Sequence, residues 1–506
     1  MNSKFLKKIF LAATAICFFS IFADPLDFSS PEVMSQTEYL FGDYSIKNSE
    51  IYAEMPDSFN YGLNAVFSNL ENIKKTPARF FRKNDRHNFI EYSEVFKKNE
   101  LNFYFSVIGG VDYIVGKSDS YYNIYRGVRL AGDLNKNLIF TANWQAGHLK
   151  GDLDYAEKTS PLIKGFFKNE PDKTEINIDN AVGQITFLSN YGNFAVGRGT
   201  HQITNSITSS IVTNLDVPNY GYFSWKYETS RFDISLMNAS LIPDSLSREI
   251  SGTGQKIYDN KYMVIHKIGY SFTEEFYTFF GEEIFYGNRS LDPSYLLPHT
   301  FLRIIEHNQM DRDNCIIFMG ANWKRKEKIA YITVLFDEMK KSEILSNWWG
   351  NKYAIQTGYG FSPFALSGEK SRLVLEFTAV RPWTYTHKYM INKISHNKFP
   401  MGFAYGSNLI CFAGEFNLPI GKNVDFDINA SFTRQGSLGN NFLINYKNAP
   451  ETADWLEGDI INTKRLKAVI NWKFNNHNSF KTGYRIEKND EDKDINEFSI
   501  GWFGKF

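Results

Sequence analysis

The chain ends in the stretch EFSIGWFGKF, residues 497–506, in which two sets of side chains alternate. Successive side chains of a β-strand point to opposite faces, so an extended stretch of this kind has two distinct surfaces. One surface is apolar or small throughout and ends on the terminal aromatic residue, whereas the other is mixed. The first surface comprises Phe498, Ile500, Trp502, Gly504 and Phe506, and the second comprises Glu497, Ser499, Gly501, Phe503 and Lys505. The sequence therefore predicts a C-terminal amphipathic strand.

The same alternation recurs upstream, at 372–379, 424–433, 466–474 and 480–487. It suits a wall with lipid on one side and water or polar filling on the other. A soluble β-sandwich alternates in the same way, so periodicity alone leaves both architectures open. A final strand with a terminal aromatic residue resembles the closing strand of bacterial outer-membrane barrels. In that class the last Phe, here Phe506, is read by the barrel-insertion machinery.

The connections between the predicted strands favour the barrel. Strands are predicted at 102–110, 121–131, 137–146, 181–188, 193–199, 221–229, 231–238, 262–271, 275–286, 314–323, 328–337, 352–361, 371–380, 408–417, 424–434, 464–475, 479–487 and 495–506. Every second connection is short and those between are mostly long, as expected if the two ends face the periplasm and the cell exterior. We therefore predict that residues 101–506 form an all-β transmembrane antiparallel barrel of about 18 strands in the outer membrane. The short connections are predicted to be periplasmic.

Composition excludes several other classes. The 506 residues carry 56 basic and 56 acidic side chains, so the basic excess of a nucleic-acid-binding protein is absent. Only three cysteines are present, one of them (Cys17) near the N-terminus. The chain is therefore predicted to be neither a disulfide scaffold nor a cysteine zinc protein.

The N-terminal residues predict export. Lysines, an apolar stretch from Ile9 to Phe22 and then Ala23 indicate a signal peptide over 1–23, with an uncleaved anchor as the alternative. Residues 24–100 are predicted to form a small helical bundle, with helices beginning near Ser30-Pro31, Asp57-Ser58 and Thr76-Pro77 and a fourth over 90–98. We expect this bundle to cap the periplasmic mouth, and a loosely attached extension is the alternative.

Several short motifs between residues 190 and 390 resemble the Wzi-type capsule-assembly family of outer-membrane proteins. They are Gly197-Arg198, Ser209–Asn214, Pro218-Asn219-Tyr220, Tyr286-Gly287, Glu306-His307-Asn308, Asp311–Asn314, Trp349–Lys352, Glu376-Phe377-Thr378 and Arg381–His387. The resemblance implies an 18-stranded barrel, an N-terminal helical bundle and a role in holding capsular polysaccharide at the cell surface. The sequence departs from the family after Gly197-Arg198, where Thr200-His201-Gln202 replaces a Trp-Gly-rich stretch.

Two groups of residues are candidates for function. Aromatic faces stack on sugar C–H faces while polar edges bind hydroxyls. A polysaccharide-binding lip is predicted from Trp348, Trp349, Arg381, Trp383, Tyr385 and His387, which lie in or beside external loops. The alternative is that these aromatic residues belong to the interfacial girdle found in any barrel. Charges predicted to point into the lumen and to brace it are Arg198, Glu283, Arg372 and Glu376.

An enzyme and a channel are the alternatives to polysaccharide binding. The acidic cluster Glu306, His307, Asp311 and Asp313 lacks a recognised metal-ligand spacing, and no nucleophile or phosphate-binding motif occurs. We therefore expect no catalysis, no cofactor and no bound metal. A porin-like diffusion channel competes more strongly, because a barrel of this size encloses an aqueous bore unless something fills it. The chain is expected to be a monomer whose partners are outer-membrane lipid and surface polysaccharide.

Overall fold

A computed structural model of the chain describes residues 82–83, 90–96, 101–134, 137–160, 167–169, 175–245, 248–250, 255–343, 346–366, 369–421, 423–441, 451–475, 478–491 and 494–505. The predicted signal peptide and the first three predicted helices of the bundle lie outside these residues. Within the described ranges, no helix has both the length and the apolar character needed to cross a bilayer.

Eighteen antiparallel strands form the wall, and each of the predicted strands is confirmed. Their bounds are β1 Leu101–Val115, β2 Ser120–Leu134, β3 Leu138–Gly151, β4 Glu175–Phe187, β5 Asn193–Gly199, β6 Tyr220–Glu228, β7 Phe232–Leu241, β8 Lys261–Ser271, β9 Phe276–Gly287, β10 Asn314–Arg325, β11 Lys328–Glu338, β12 Lys352–Phe361, β13 Arg372–Val380, β14 Leu409–Ile420, β15 Val424–Gly436, β16 Ile460–Lys473, β17 Asn478–Asn489 and β18 Ile495–Lys505. The largest differences from prediction are the earlier start of β4 and the later ends of β1 and β3.

The wall closes on itself. The final strand β18 pairs with β1 in a register that runs from Phe498↔Val115 to Lys505↔Ile108. Every other neighbouring pair is consecutive in the chain, from β1–β2 to β17–β18. A closed ring leaves no row of unpaired backbone groups at a sheet edge, which would be costly in a bilayer.

The connections sort by length between the two ends of the barrel. One end, here called the turn end, carries short connections such as 188–192, 229–231, 272–275 and 326–327. The opposite end, called the loop end, carries the long connections 152–174, 200–219, 242–260, 288–313, 339–351, 381–408 and 437–459. Only the two loop-end connections beside the seam, 116–119 and 490–494, are short. The predicted alternation of long and short connections is therefore confirmed apart from these two and the longer turn-end connection 362–371, which contains a small hairpin.

The outward face of the wall is apolar. Large side chains exposed there include Ile185, Val196, Met319, Leu375, Phe412 and Leu466. Aromatic residues gather on this face at the turn end. Examples are Tyr270 with Phe272 at 4.9 Å between ring centroids and Phe474 with Phe480 at 5.4 Å. An apolar band bordered by aromatic rings is the lipid-facing surface expected of a membrane barrel.

Two loop-end connections fold back into the lumen. The connections 200–219 and 381–408, together called the lumen plug, meet the lumen faces of β6 to β14 in one buried apolar cluster. From the plug this cluster includes Ile211, Val212, Val217, Tyr385, Ile394, Met401 and Phe403, and from the wall it includes Met237, Ile265, Phe285, Phe318 and Leu335. The largest core of the protein is therefore inside the barrel.

The region before β1 contains a strand where a helix was predicted. Ile90–Phe96 pairs antiparallel with β1, from Tyr92↔Phe105 to Phe96↔Leu101, so the fourth predicted helix over 90–98 is wrong. The pairing has a physical reason. The strand β18 covers β1 only from Ile108 onward, which leaves the first half of β1 as an edge that Ile90–Phe96 occupies.

The remaining elements are short. In the long connections these are helix α1 Leu153–Thr159, helix α2 Leu302–Asn308, and the 3₁₀ turns Pro293–Leu296, Lys341–Glu343 and Met390–Asn392. Phe167–Asn169 pairs with β4, and Arg82–Lys83 pairs with Ile90–Phe96. Three small hairpins join Arg248–Ile250 to Gln255–Ile257, Ala365–Leu366 to Glu369–Lys370, and Ser395–His396 to Phe399–Pro400.

Candidate functional site

The first half of the lumen plug is held by a carboxylate on the opposite wall. Glu376 of β13 accepts hydrogen bonds from Ser206 Oγ at 3.2 Å and from the Ile207 backbone N–H at 3.0 Å. Thr208 Oγ1 and Tyr331 Oη donate to the same carboxylate, each at 2.5 Å. Four donors around one buried carboxylate make it a strong hydrogen-bonded anchor. The connection 200–219, which starts from β5, is thus fixed to strands on the far side of the barrel.

The second half of the plug interlocks with the first. Tyr385 Oη donates to the Ile211 carbonyl at 2.8 Å, and the Ala404 N–H donates to Ser209 Oγ at 2.9 Å. The Asn214 N–H donates to the Met401 carbonyl at 2.8 Å. Because each connection satisfies polar groups of the other, the two are held in the lumen as one unit.

The lumen face of β15–β18, here called the wet side, remains accessible to solvent. Lys467 and Lys481 lie on this face and are exposed within the barrel. Arg485 lies nearby, with its Nη2 atom 3.1 Å from Glu487 and its Nη1 atom 3.7 Å from Glu497. The barrel therefore combines a filled apolar half with a charged half that water can enter.

Two pairs of aromatic side chains, from two connections and the start of β12, lie at the loop end. We call Trp348, Trp349, Tyr353 and Trp455 the rim cluster. Trp348 and Trp349 are half-buried, with 5.9 Å between their ring centroids, and Tyr353 meets Trp455 edge-on at 5.9 Å. The connections 339–351 and 437–459 are tied together beside these rings. Trp349 N–H donates to the Glu451 carbonyl at 3.3 Å, and Ala453 N–H donates to the Asn347 carbonyl at 2.8 Å.

Arg381 lies beneath the rim cluster. Its guanidinium is 5.6 Å from the ring centroids of both Tyr353 and Trp455. Its Nε–H donates to the Asn351 carbonyl at 3.2 Å, and Nη2 donates to the Ala453 carbonyl at 2.9 Å. Burial lowers the Arg381 pKa, and the nearby Tyr353 and Asp454 oppose this. Of the predicted lip residues, Trp348, Trp349 and Arg381 thus come together, but Arg381 is a buried support.

The other predicted lip residues are placed elsewhere. Trp383 is buried against Gly439, and a Cβ atom added to Gly439 would lie 2.8 Å from the Trp383 ring. Tyr385 is fully buried in the lumen plug. Both residues have positive φ, 67° and 73° respectively, a conformation that is costly for bulky side chains and persists only where the surroundings enforce it. These two aromatic residues therefore shape the connection 381–408 from within.

His387 lies beside a cleft of about 570 Å³ at the loop end. Its ring is 5.6 Å from that of Tyr389, which lines the cleft with Asp244, Arg289, Arg312, Lys388 and Met390. Burial, followed by the positive charge of Lys352, lowers the His387 pKa to about 4. The imidazole is thus neutral at physiological pH and can offer a hydrogen bond, although not a charge.

The predicted lumen charges fall on both faces of the wall. Glu376 and Arg372 share the lumen face of β13, and Glu283 is fully buried on the lumen face of β9. Arg198 differs from the prediction, because it alternates with Ala195 and shares the outward face with exposed Phe194 and Val196. The two-residue period of β5 places Arg198 outside the lumen, near the loop end.

The acidic cluster considered in the sequence is divided in two. Ligand atoms of Glu306, His307 and Asp311 lie within 4.8 Å of one another, but Arg303 Nη1 is 2.7 Å from Glu306. A metal ion would have to compete with this guanidinium. Asp313 turns away and forms a two-pronged ion pair with Arg289, at 2.5 and 2.7 Å.

The sequence patterns did not identify residues that contribute to the rim cluster and to the plug contact. Trp455 and Tyr353 complete the rim cluster, and only Trp455 carried a signal, as a tryptophan in a long predicted external connection. Ser206, Ile207 and Thr208, which bind Glu376, come from a Ser- and Thr-rich stretch with no motif of its own. Their role depends on a contact across the lumen that no local pattern encodes.

Comparison with known proteins supports the architecture. No model of a known protein family matches the chain, and no curated protein matches it. Among solved structures, Wzi of Escherichia coli, an outer-membrane carbohydrate-binding β-barrel involved in group 1 capsule assembly, is similar with a TM-score of 0.53 and 9% identity. The match covers 79% of this chain and 84% of Wzi. OccK7 of Pseudomonas aeruginosa is also similar, with a TM-score of 0.46 and 6% identity over 80% of this chain and 99% of OccK7.

The fold is that of an outer-membrane β-barrel, and the chain is located in the bacterial outer membrane. The closed ring and its apolar outer band fit this location. The turn end then corresponds to the periplasmic side and the loop end to the exterior, as in other barrels with short periplasmic turns.

Proposed function

We propose that the protein engages surface polysaccharide, capsular or of similar chemistry, through its external loops and helps to attach or assemble it at the cell surface. The observation that carries this proposal is the rim cluster, in which the ring pairs Trp348–Trp349 and Tyr353–Trp455 lie where the connections 339–351 and 437–459 are hydrogen-bonded together at the exterior. Aromatic faces supply stacking surfaces for sugar rings.

Polar groups border the rings. Asn347 donates to Asp454 at 2.7 Å at the surface, and both side chains are exposed. Lys340 lies 5.8 Å from the centre of the Trp348 ring. Amide, carboxylate and ammonium groups beside stacking faces are what hydroxyl-rich or acidic sugars require.

The sequence motifs and the fold point in the same direction. The motifs between 190 and 390 resemble the Wzi-type family, and the solved Wzi structure is described as a carbohydrate-binding barrel. We extend that description to this chain as part of the proposal, with a binding role and no catalytic one. The same proposal includes a monomeric state.

A porin-like channel is the second candidate function. The wet side favours it, because exposed Lys467 and Lys481 line a space that water can enter. The interlocked lumen plug opposes it, because ordered apolar segments occupy the half of the bore next to β6–β14. A filled bore is not expected to pass solutes freely.

The test is polysaccharide retention by cells. A deletion strain should produce polysaccharide but release it into the medium, and the wild-type gene should restore cell-bound polymer. Trp348→Ala combined with Trp455→Ala should release polymer as the deletion does. The matched control is Tyr258→Ala, which removes an exposed external aromatic residue outside the rim cluster.

Unchanged cell-bound polymer in the deletion strain would contradict the capsule role and leave the barrel intact. Ion currents through purified protein in a planar bilayer address the second candidate. Sustained open conductance would favour the channel, and silence together with polymer loss would favour attachment.

A further inference from the structure

The connection 288–313 lies outside the barrel wall. On β8 the outward face carries Ile268 and Tyr270, both exposed, and Val264 and His266 above them, both buried. Val264 and His266 are buried because the connection 288–313 covers them. Tyr295 and Leu302 form a buried cluster with outward-facing Val264, Ile284, Tyr286 and Cys315, and Ile305 packs against it. We call residues 288–313 the wall-side connection.

Two polar side chains of the wall anchor this connection. His266 contacts the carbonyl oxygens of Thr300 and Tyr295 through its two ring nitrogens, at 3.2 and 3.0 Å. Glu282, which faces His266 in register on β9, accepts the backbone N–H of Leu302 at 2.7 Å and that of Arg303 at 3.4 Å.

Of these two anchors, Glu282 supplies hydrogen-bond partners for the first turn of helix α2. Its N-cap residue, Phe301, provides no side-chain hydrogen bond to the first turn. The first N–H groups of a helix otherwise lack partners, so Glu282 serves as the cap from the neighbouring wall. The connection is therefore docked at a defined position and orientation.

Part of the surface that the wall-side connection turns outward is apolar, and its other exposed side chains include the polar His299, His307 and Asp311. Leu297, Phe301 and Ile304 are all exposed, and the Phe301 ring is 6.4 Å from that of Phe280 on the wall. Directly alongside, β10 exposes Met319 on its outward face. The apolar side chains of the connection thus continue the lipid-facing band of the barrel.

We propose that the wall-side connection is embedded in the outer leaflet, where Leu297, Phe301 and Ile304 contact lipid acyl chains. If this part of the wall faced water, water molecules would solvate His266 and Glu282, and the wall-side connection would not be needed to cover them. In hydrocarbon the same two groups are costly unless they are hydrogen-bonded, and the connection gives each of them backbone partners. Continuity with the lipid-facing wall and the apolar outer surface both identify acyl chains as the occupant.

Nitroxide labelling of the full-length protein in lipid vesicles tests this proposal. Ile304→Cys reports on the connection, Met319→Cys on lipid at the wall, and Leu438→Cys on water at an external loop. The native residues are similar in size and are 58%, 40% and 52% exposed, so the labels are closely matched. The native Cys315 and Cys411 are buried, and unmutated protein shows the background labelling.

The expected result is that oxygen, which concentrates in lipid, collides with the Ile304 label in preference to a water-soluble nickel chelate. The ratio of the two collision rates should match that at Met319 and shift away from that at Leu438. A ratio equal to that at Leu438 would overturn the proposal. Protection of the Ile304 label from both reagents would also overturn it, because it would indicate a protein partner on this surface.

Discussion

At the scale of single residues, Glu376 accepts four hydrogen bonds at the contact between the plug and the wall. It is a carboxylate deep in the barrel, and its hydrogen-bond donors are hydroxyl and backbone groups of the plug and of β11. A buried carboxylate is stabilised when several donors surround it, and removing it leaves those donors without a partner.

We expect Glu376→Ala to loosen the plug and to produce ion conductance in planar bilayers where the parent protein gives little. The loss of one charged acceptor with several donors is expected to cost about 3 kcal/mol. The matched control is Glu327→Ala, which removes an exposed turn-end carboxylate paired with Lys370. Equal conductance of the two variants would contradict the anchoring role of Glu376.

His396 should make stability depend on pH. Burial, then the positive charges of Lys261 and Arg198, lower its pKa from 6.5 to about 4. Its Nδ1 atom accepts the Ile242 N–H at 2.9 Å, which requires that nitrogen to be unprotonated. Between pH 6.5 and pH 4 the unfolded chain binds a proton that the folded protein does not, so stability falls as the pH falls through this window.

The expected loss between pH 7 and pH 5 is roughly 2 kcal/mol, measured by denaturant unfolding. His396→Asn can accept the same N–H but cannot titrate, so it should remove this part of the pH dependence. An unchanged slope in the variant would show that other groups control acid sensitivity.

At the scale of elements, the strands of the wall could be predicted from the sequence, but the lumen plug could not. Strands such as β18 can be recognised in the sequence, because one face meets lipid and the other does not. This difference gives the sequence a two-residue period. The plug has no such period. Whether the connection 200–219 turns into the lumen depends on Glu376 and Gln356, which are distant in sequence. For the same reason Tyr385, predicted at the external lip, belongs inside the barrel.

The loop-end elements are linked through one arginine. Arg381 joins the connections 339–351 and 437–459 by hydrogen bonds to the carbonyls of Asn351 and Ala453. Its planar fork makes both bonds while the guanidinium lies 5.6 Å from the centroids of two rings, and the ammonium group of lysine has no such plane. Arg381→Lys should therefore speed proteolytic cleavage of both connections in intact cells.

The control for this measurement is Arg231→Lys, which changes an exposed arginine at a turn-end connection. Cleavage of the two external connections should be as slow in this control as in the parent protein. Equally slow cleavage in Arg381→Lys would show that the rim cluster holds without the guanidinium fork.

At the scale of the whole molecule, insertion into the membrane is expected to depend on the C-terminus. We propose that the insertion machinery reads Phe506, the aromatic residue that follows β18. Phe506→Ala should lower the amount of heat-modifiable barrel in outer-membrane fractions, whereas Lys505→Ala should not. Equal amounts of heat-modifiable barrel in the two variants would show that Phe506 does not have this role.

The lumen plug also has a kinetic consequence. Its bonds join residues 170 positions apart for Ser206 and Glu376, and 195 apart for Ser209 and Ala404. Contacts within the hairpins of the wall are far closer in sequence, whereas the seam between β18 and β1 joins residues that are farther apart still, and contacts that close long loops form slowly. Refolding should therefore proceed in two phases, a faster one as hairpins assemble and a slower one as the two segments engage. A chain caught between these phases has a wall of assembled hairpins around an unobstructed interior.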